Sequence, residues 1–281
     1  MAGLLSGLSE IGLGGLENME VYEQSEDKEA EKQAEEKSEV KEETFLFDKR
    51  YECPVCYQGF KAKTVRSGKL RSLGTDRDLR PLYDQMEPLK YDVVICPHCG
   101  YAALTRFFGG LTAGQIKAIK ESISSKFNPV KEEKETYTYE EALYRYKLCL
   151  ANTIVKHGKV SEKAYICLKA GWLLRSMGEN LDPATEDYNK KMQEIKEQEK
   201  EFLKNALDGL ITARQTESYP ICGMDEVTLE YLIAVLAMEF EKYDISSRLI
   251  YNILNTPAVN NRIKDKAREV KDELLQQMGK K

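Results

Sequence analysis

Two Cys-x-x-Cys pairs, Cys53-Pro54-Val55-Cys56 and Cys96-Pro97-His98-Cys99, constrain this chain more than any other feature. Two intervening residues let both thiolates of a pair face one ion at about 2.3 Å, and two pairs complete a tetrahedron. Proline after each leading cysteine presets a turn, and Gly100 supplies the positive φ that such a knuckle uses. Tyr57 holds the equivalent place in the first pair, which softens that knuckle without removing a ligand. Cys53, Cys56, Cys96 and Cys99 are therefore expected to hold one Zn2+, and four thiolates leave no open position, so the ion is structural. A rubredoxin-type iron centre or a reversible disulfide pair would draw on the same residues. His98 is expected to face solvent rather than to ligate.

The pairs are separated by 39 residues, and the insert reads as strands around a loop. Gly59 to Val65 predicts one strand and Leu89 to Ile95 another, with Tyr91, Val93 and Ile95 alternating as in a half-buried strand. Thr44-Phe45-Leu46-Phe47 predicts a leading strand, and Arg66 to Pro88 a polar excursion. This is a zinc ribbon with a long loop. It needs its ion: structural zinc contributes roughly 10 kcal/mol or more of apparent folding free energy, and a segment this short buries little apolar surface.

From Lys61 to Arg80 the loop carries seven basic residues, Lys61, Lys63, Arg66, Lys69, Arg71, Arg77 and Arg80, against Asp76 and Asp78. Two readings stand. One is a positive finger for phosphates, nucleic acid or an acidic protein face. The other is a solvated loop whose arginines pair with Asp76, Asp78, Asp84 and Asp92. The formal net charge of −5 divides unevenly: residues 1–22 carry −3 and 23–43 carry −6, leaving +4 for the rest. Residues 23–43 read as an acidic, disordered linker. In residues 1–22, Leu4, Leu5, Leu8, Ile11, Leu16 and Met19 share one helical face, while five glycines weaken the helix. That segment is either a loose terminus or a short docking helix for its own body or a partner, and Glu10 and the glycines argue against a secretory signal.

Val65-Arg66-Ser67-Gly68-Lys69-Leu70-Arg71, Asp76-Arg77-Asp78 and Tyr91-Asp92-Val93-Val94-Ile95-Cys96-Pro97-His98-Cys99-Gly100-Tyr101-Ala102 resemble the bacterial family called domain of unknown function 2225. With the first knuckle and the later helical half, the resemblance covers roughly residues 44 to 280, and Gly14-Gly15-Leu16-Glu17-Asn18-Met19 is similar to some members too. It implies that knuckles and finger form one module of a cytoplasmic bacterial protein. It supplies no catalytic residue.

Beyond the second knuckle the pattern turns helical. Thr112 and Gln115 form a capping box, Ile116, Ile119 and Ile123 mark a buried face, and Asn128-Pro129 ends the helix. Ala142, Leu143, Tyr146, Leu150 and Ile154 predict one stripe from Tyr139 onward; Tyr165, Leu168, Trp172 and Leu173 predict the next, with Ser161 as its cap. Asp182-Pro183 reads as the opening of a long helix to about Ala213, burying Phe202, Leu203, Leu207 and Leu210. Asp225 opens a further helix, followed by Ile245 to Leu254 and Ile263 to Met278. Helix starts near Asp225 and Asn260 lie 35 residues apart, close to a tetratricopeptide period. Cys149, Cys167 and Cys222 read as buried thiols and His157 as a cap-region residue.

The expected architecture is α+β and mostly α: a small zinc-ribbon β domain with a following helix over 44–130, then a tetratricopeptide-like or irregular helical bundle over 131–281. No run approaches the roughly 20 apolar residues of a membrane span. An odd count of seven cysteines without a signal peptide favours a reducing, cytoplasmic setting. Gly-rich phosphate loops and His/carboxylate clusters are lacking, and only two histidines remain for acid–base work. The leading expectation is thus a non-enzymatic interaction protein with a protein or peptide partner, nucleic acid being a second partner class. A zinc-thiolate redox sensor, or an enzyme built from scattered residues, are the alternatives.

Overall fold

The computed structural model describes residues 41–129 and 134–279. The expected docking helix over 1–22, most of the acidic linker and the boundary near residue 130 lie outside them. The described residues from Glu42 onward form one compact unit.

Among the described residues six short strands make three separate antiparallel hairpins: β1 (Leu46–Glu52) with β2 (Gly59–Val65), β3 (Ser72–Thr75) with β4 (Pro81–Tyr83), and β5 (Val93–Ile95) with β6 (Ala102–Leu104). Seven helices follow among the described residues: α1 (Ala113–Ile119), α2 (Tyr139–Val155), α3 (Val160–Glu179), α4 (Tyr188–Thr216), α5 (Glu226–Glu239), α6 (Tyr243–Asn255) and α7 (Asn261–Met278). Each helix from α2 on packs against its chain neighbour. Helix α5 is buried on every side from Leu229 to Met238, as an element apolar all round must be. No helix among the described residues is long and apolar enough to cross a membrane.

Several starts are those the sequence dictates. Thr112 and Gln115 close a reciprocal capping box on α1, Thr138 and Glu141 do the same for α2, and Asp225 caps α5 through the Thr228 N–H. Others differ. Residues Glu42–Phe45 form a 3-10 turn rather than a strand start, with Glu42 accepting from Lys90 Nζ and Tyr91 OH at 2.7 and 2.8 Å. Pro88–Tyr91 is likewise a 3-10 turn, because Pro88 fits a helical first position and Glu87 caps the Leu89 N–H. Only Val93–Ile95 is strand there.

Ser161 does not cap α3, which begins at Val160; its N–H and hydroxyl both donate to the Glu217 carboxylate at 2.9 and 2.6 Å. Asp182 caps a turn through the Ala184 N–H, and α4 begins only at Tyr188, after Asp187 takes a left-handed φ of 58°. Ile154 is 53% exposed, whereas Cys149, Asn152 and Thr153 hold the buried face of α2.

The β5–β6 hairpin is a septum between two cores. Val93, Ala102 and Leu104 pack with the helices, while the intervening Ala103 packs with Cys53, Cys96, Cys99, Tyr101 and Ile119. Period-two alternation sends neighbouring residues to opposite sides. Burial on both sides also explains why Val94 is as inaccessible as Val93, so the expected one-sided alternation fails.

Candidate metal centre

The first knuckle is the turn of the β1–β2 hairpin, and the second is the turn joining β5 to β6. Their backbones repeat one another. In the first, Tyr57 N–H donates to Cys53 C=O at 2.9 Å and Cys53 N–H to Gln58 C=O at 3.0 Å. In the second, Gly100 N–H donates to Cys96 C=O at 3.0 Å and Cys96 N–H to Tyr101 C=O at 2.8 Å. Both turns need a left-handed fifth residue: Gly100 takes φ 72°, and Tyr57 takes φ 59° despite its side chain. The side chain of Tyr57 is exposed, with Lys120 Nζ 5.8 Å from the ring centroid.

These turns bring the four sulfurs together, all within 4.8 Å of one another. The Cys53–Cys99 and Cys56–Cys96 separations are both 3.6 Å. Tetrahedral sulfurs about 2.3 Å from a zinc ion lie about 3.8 Å apart, so the set fits one ion of that size. Cys53, Cys96 and Cys99 are buried and Cys56 is half-buried. Backbone N–H groups of Val55 and Cys56 point at the Cys53 sulfur, and those of His98 and Cys99 at the Cys96 sulfur. Such donors stabilise thiolate, the ligating form. Hydrogen bonds from Cys96 and Cys99 hold Cys53 far below the ordinary thiol range, while the contact with Cys53 pushes both Cys96 and Cys99 upward. His98 is exposed and outside the cluster.

An aromatic and aliphatic shell surrounds the sulfurs. Phe108 sits 5.1 Å from Tyr101, 5.3 Å from Tyr51 and 5.9 Å from Phe60, in tilted or edge-on contacts. Ile116, Ile119 and Ile123 of the following helix cover the same cluster. Asn152 of α2 donates to Gly100 C=O at 3.1 Å, tying the second knuckle to the helical body.

The expected basic finger divides. Arg80 is 3% exposed and cannot reach a partner; it donates to Asp76 at 2.6 Å and to both Glu179 oxygens at 2.7 and 2.9 Å. Arg77 pairs with Glu273, and Lys63 with Asp48 at 3.0 Å. Arg66 donates to Leu46 C=O at 3.1 Å and lies over the Phe47 ring. Lys61, Lys69 and Arg71 remain exposed. The excursion is itself a folded hairpin: Asp78, 3% exposed, accepts from Trp172 Nε1 at 2.9 Å and Arg175 at 2.8 Å. Asp92 pairs with Lys169 rather than with the finger. Lys49 and Arg50, outside the expected set, join the exposed cations because β1 pairs with β2.

The three scattered cysteines sit in or beside the helical core, Cys149 and Cys167 buried and Cys222 half-buried. Burial pushes the Cys167 and Cys222 thiols each up to about 11, keeping them protonated at neutral pH. His157 follows the end of α2 in the left-handed region, at φ 50°.

Neither a curated protein nor a solved structure gives a match. The model of an uncharacterised protein family conserved in bacteria, domain of unknown function 2225, matches residues 46–274, which span both knuckles, the septum and all but the end of the last helix. The chain belongs to that family.

Proposed function

We propose that this is a non-catalytic interaction protein in which one structural Zn2+, held by Cys53, Cys56, Cys96 and Cys99, fixes a ribbon to a tetratricopeptide-like helical scaffold. The carrying observation is the septum: the hairpin that presents Cys96 and Cys99 also supplies Val93, Ala102 and Leu104 to the helical core. Coordination energy at the knuckles is therefore transmitted to α2 and its neighbours. When bound, zinc supplies cross-linking and charge neutralisation for four thiolates, with no open position for a substrate. Three of the four thiolates are buried and only Cys56 is half-buried, which limits oxidant access and disfavours the redox-sensor reading.

The partner surface in this reading is a groove of about 690 Å3 between α2 and α4, floored by α3. Small residues create it: a Cβ on Gly209 would meet Ala164 Cβ at 2.7 Å, so α3 and α4 approach closely while α2 stands off. Leu150, Ile154, Val160 and Phe202 make the groove apolar; Lys147 lies on the α2 wall and Glu201 on the α4 wall. An amphipathic helix fits this chemistry, with its apolar stripe inward and opposite charges on its two flanks.

The test is elemental analysis of the purified full chain together with hydrogen exchange. One zinc per chain is expected, and Cys96→Ser should lose the zinc and the amide protection of α2 together. A colourless, metal-free protein with full protection in α2 would contradict the proposal, and stoichiometric iron would replace the zinc assignment.

A further inference from the structure

The β1–β2 hairpin breaks a rule of strand pairing without structural return. Its register sets Arg50 directly opposite Lys61. Like charges in that relation destabilise an antiparallel pair. Among the described residues, Arg50, Lys61, Lys69 and Arg71 form no ion pair. The hairpin is also a two-stranded sheet with both edges open, an arrangement that is marginal by itself. Violations of local rules that no packing explains collect where a ligand is bound.

Composition and geometry describe that ligand. From Leu46 to Arg71 there are seven cations against Asp48 and Glu52. Alternation puts Phe47, Lys49 and Tyr51 on one face with Thr64, Ala62 and Phe60. The inner end of this face is held by Tyr51 and Phe60 against Phe108. Its outer end is open: Phe47 is 36% exposed, with the Arg66 guanidinium 5.2 Å from its ring centroid. Lys49 Nζ lies 5.1 Å from the Tyr51 ring centroid. Because Leu46 pairs with Val65, the turn carrying Lys69 and Arg71 leaves the hairpin beside Phe47. Cations interleaved with an accessible aromatic ring suit alternating phosphates and stackable bases. An acidic protein face would satisfy the cations and leave Phe47 unexplained.

We propose that this hairpin binds single-stranded polynucleotide across its open edge, with a base stacked on Phe47, phosphates along Lys49 on that face and Lys69 and Arg71 just beyond it, and Arg50 and Lys61, which the same alternation sends to the opposite face, holding the strand where it rounds the edge. The surface is separate from the groove assigned above to a helical partner, so the two can fail independently.

Fluorescence anisotropy tests this with the full chain, labelled uridine and thymidine 20-mers, the matching DNA duplex, and polyglutamate as competitor, across a range of salt. Binding to single strands is expected, with log K falling against log salt at a slope of about −3, as four or five phosphate contacts imply. Phe47→Ala should weaken single-strand binding about tenfold, within the range for one lost stacking contact. An Arg50→Ala, Lys61→Ala double variant should weaken binding while unfolding at the same or a higher temperature, because it removes a repulsive pair. The uridine and thymidine arms tell RNA from DNA. Binding that is absent, equal in the double variant, or abolished by equimolar polyglutamate would overturn the proposal, the last pointing to an acidic protein instead.

Discussion

Asn152, in the last turn of α2, donates its side-chain amide to the carbonyl of Gly100, the residue directly after the last cysteine of the second knuckle. The same amide also donates to Leu148 C=O at 3.0 Å, and the residue is wholly buried. A helix residue thereby anchors a metal-binding turn 52 positions earlier in the chain. Asn152→Leu keeps the bulk and removes the donor, leaving a buried carbonyl without it. We expect a loss of about 1–3 kcal/mol in urea denaturation of the metal-loaded chain. Unchanged stability would mean that the knuckle does not depend on α2.

The two knuckles predict opposite responses at equivalent positions. Gly100 has φ 72°, and a Cβ there would sit 2.5 Å from the Phe127 ring. Gly100→Ala should therefore cost at least about 2 kcal/mol, from backbone strain and the displaced ring. Tyr57 pays the left-handed cost already, at φ 59° with its ring 65% exposed. Tyr57→Gly should be neutral or stabilising by up to about 1 kcal/mol. Thermal unfolding of both variants checks the pair, and the same sign in each would contradict it.

Asp78 joins the β3–β4 hairpin to the helices through Trp172 and Arg175. Arg175 keeps Glu199 and Asp76 when Asp78 is removed, so the loss is chiefly the buried acceptor of the Trp172 N–H and one charge-assisted bond, about 1–3 kcal/mol. Asp78→Ala is expected to destabilise by that order. Trp172 is the single tryptophan, so its emission should also shift to the red in the variant under native conditions. An unshifted spectrum would mean that the hairpin stays docked without Asp78.

Glu87 gives a pH prediction. Burial raises its carboxyl above the ordinary value of 4.5, against opposing hydrogen bonds from the Leu89 N–H and Ser176 and the nearby charges of Arg80 and Lys90. Between the unfolded and folded values the native protein binds more protons than the unfolded chain, so this group makes stability fall as pH rises. Its contribution is full below the unfolded value and lost upward through the folded one. Gln cannot titrate yet keeps the oxygen that accepts from Leu89. The stability of Glu87→Gln relative to wild type should therefore climb from pH 4 to 7 in denaturant titrations, and a flat difference would refute the shift.

What the sequence made legible was local chemistry. Cysteine spacing identified the knuckles, and the Thr112/Gln115 and Asp225 caps located helix starts, because partners three residues apart decide those features. The misread starts depend on distant partners or backbone conformation. Ser161 turns to Glu217, 56 residues on, and the left-handed Asp187 interrupts the chain between Asp182 and α4. The basic loop divides between paired and exposed cations for the same reason. Its local acids were visible, but Glu179 and Glu273, which pair with Arg80 and Arg77, lie 99 and 196 residues away. Strand register added Lys49 and Arg50 to the exposed cations, and no composition window centred on the loop contains them.

The central claim is that four thiolates from two knuckles enclose one zinc ion. X-ray absorption at the zinc edge of the purified full chain tests it most directly. The account predicts a single shell of four sulfur scatterers at about 2.3 Å, reduced when Cys53→Ser is measured alongside. A shell containing nitrogen or oxygen ligands in the unaltered protein, or no stoichiometric zinc to measure, would contradict it.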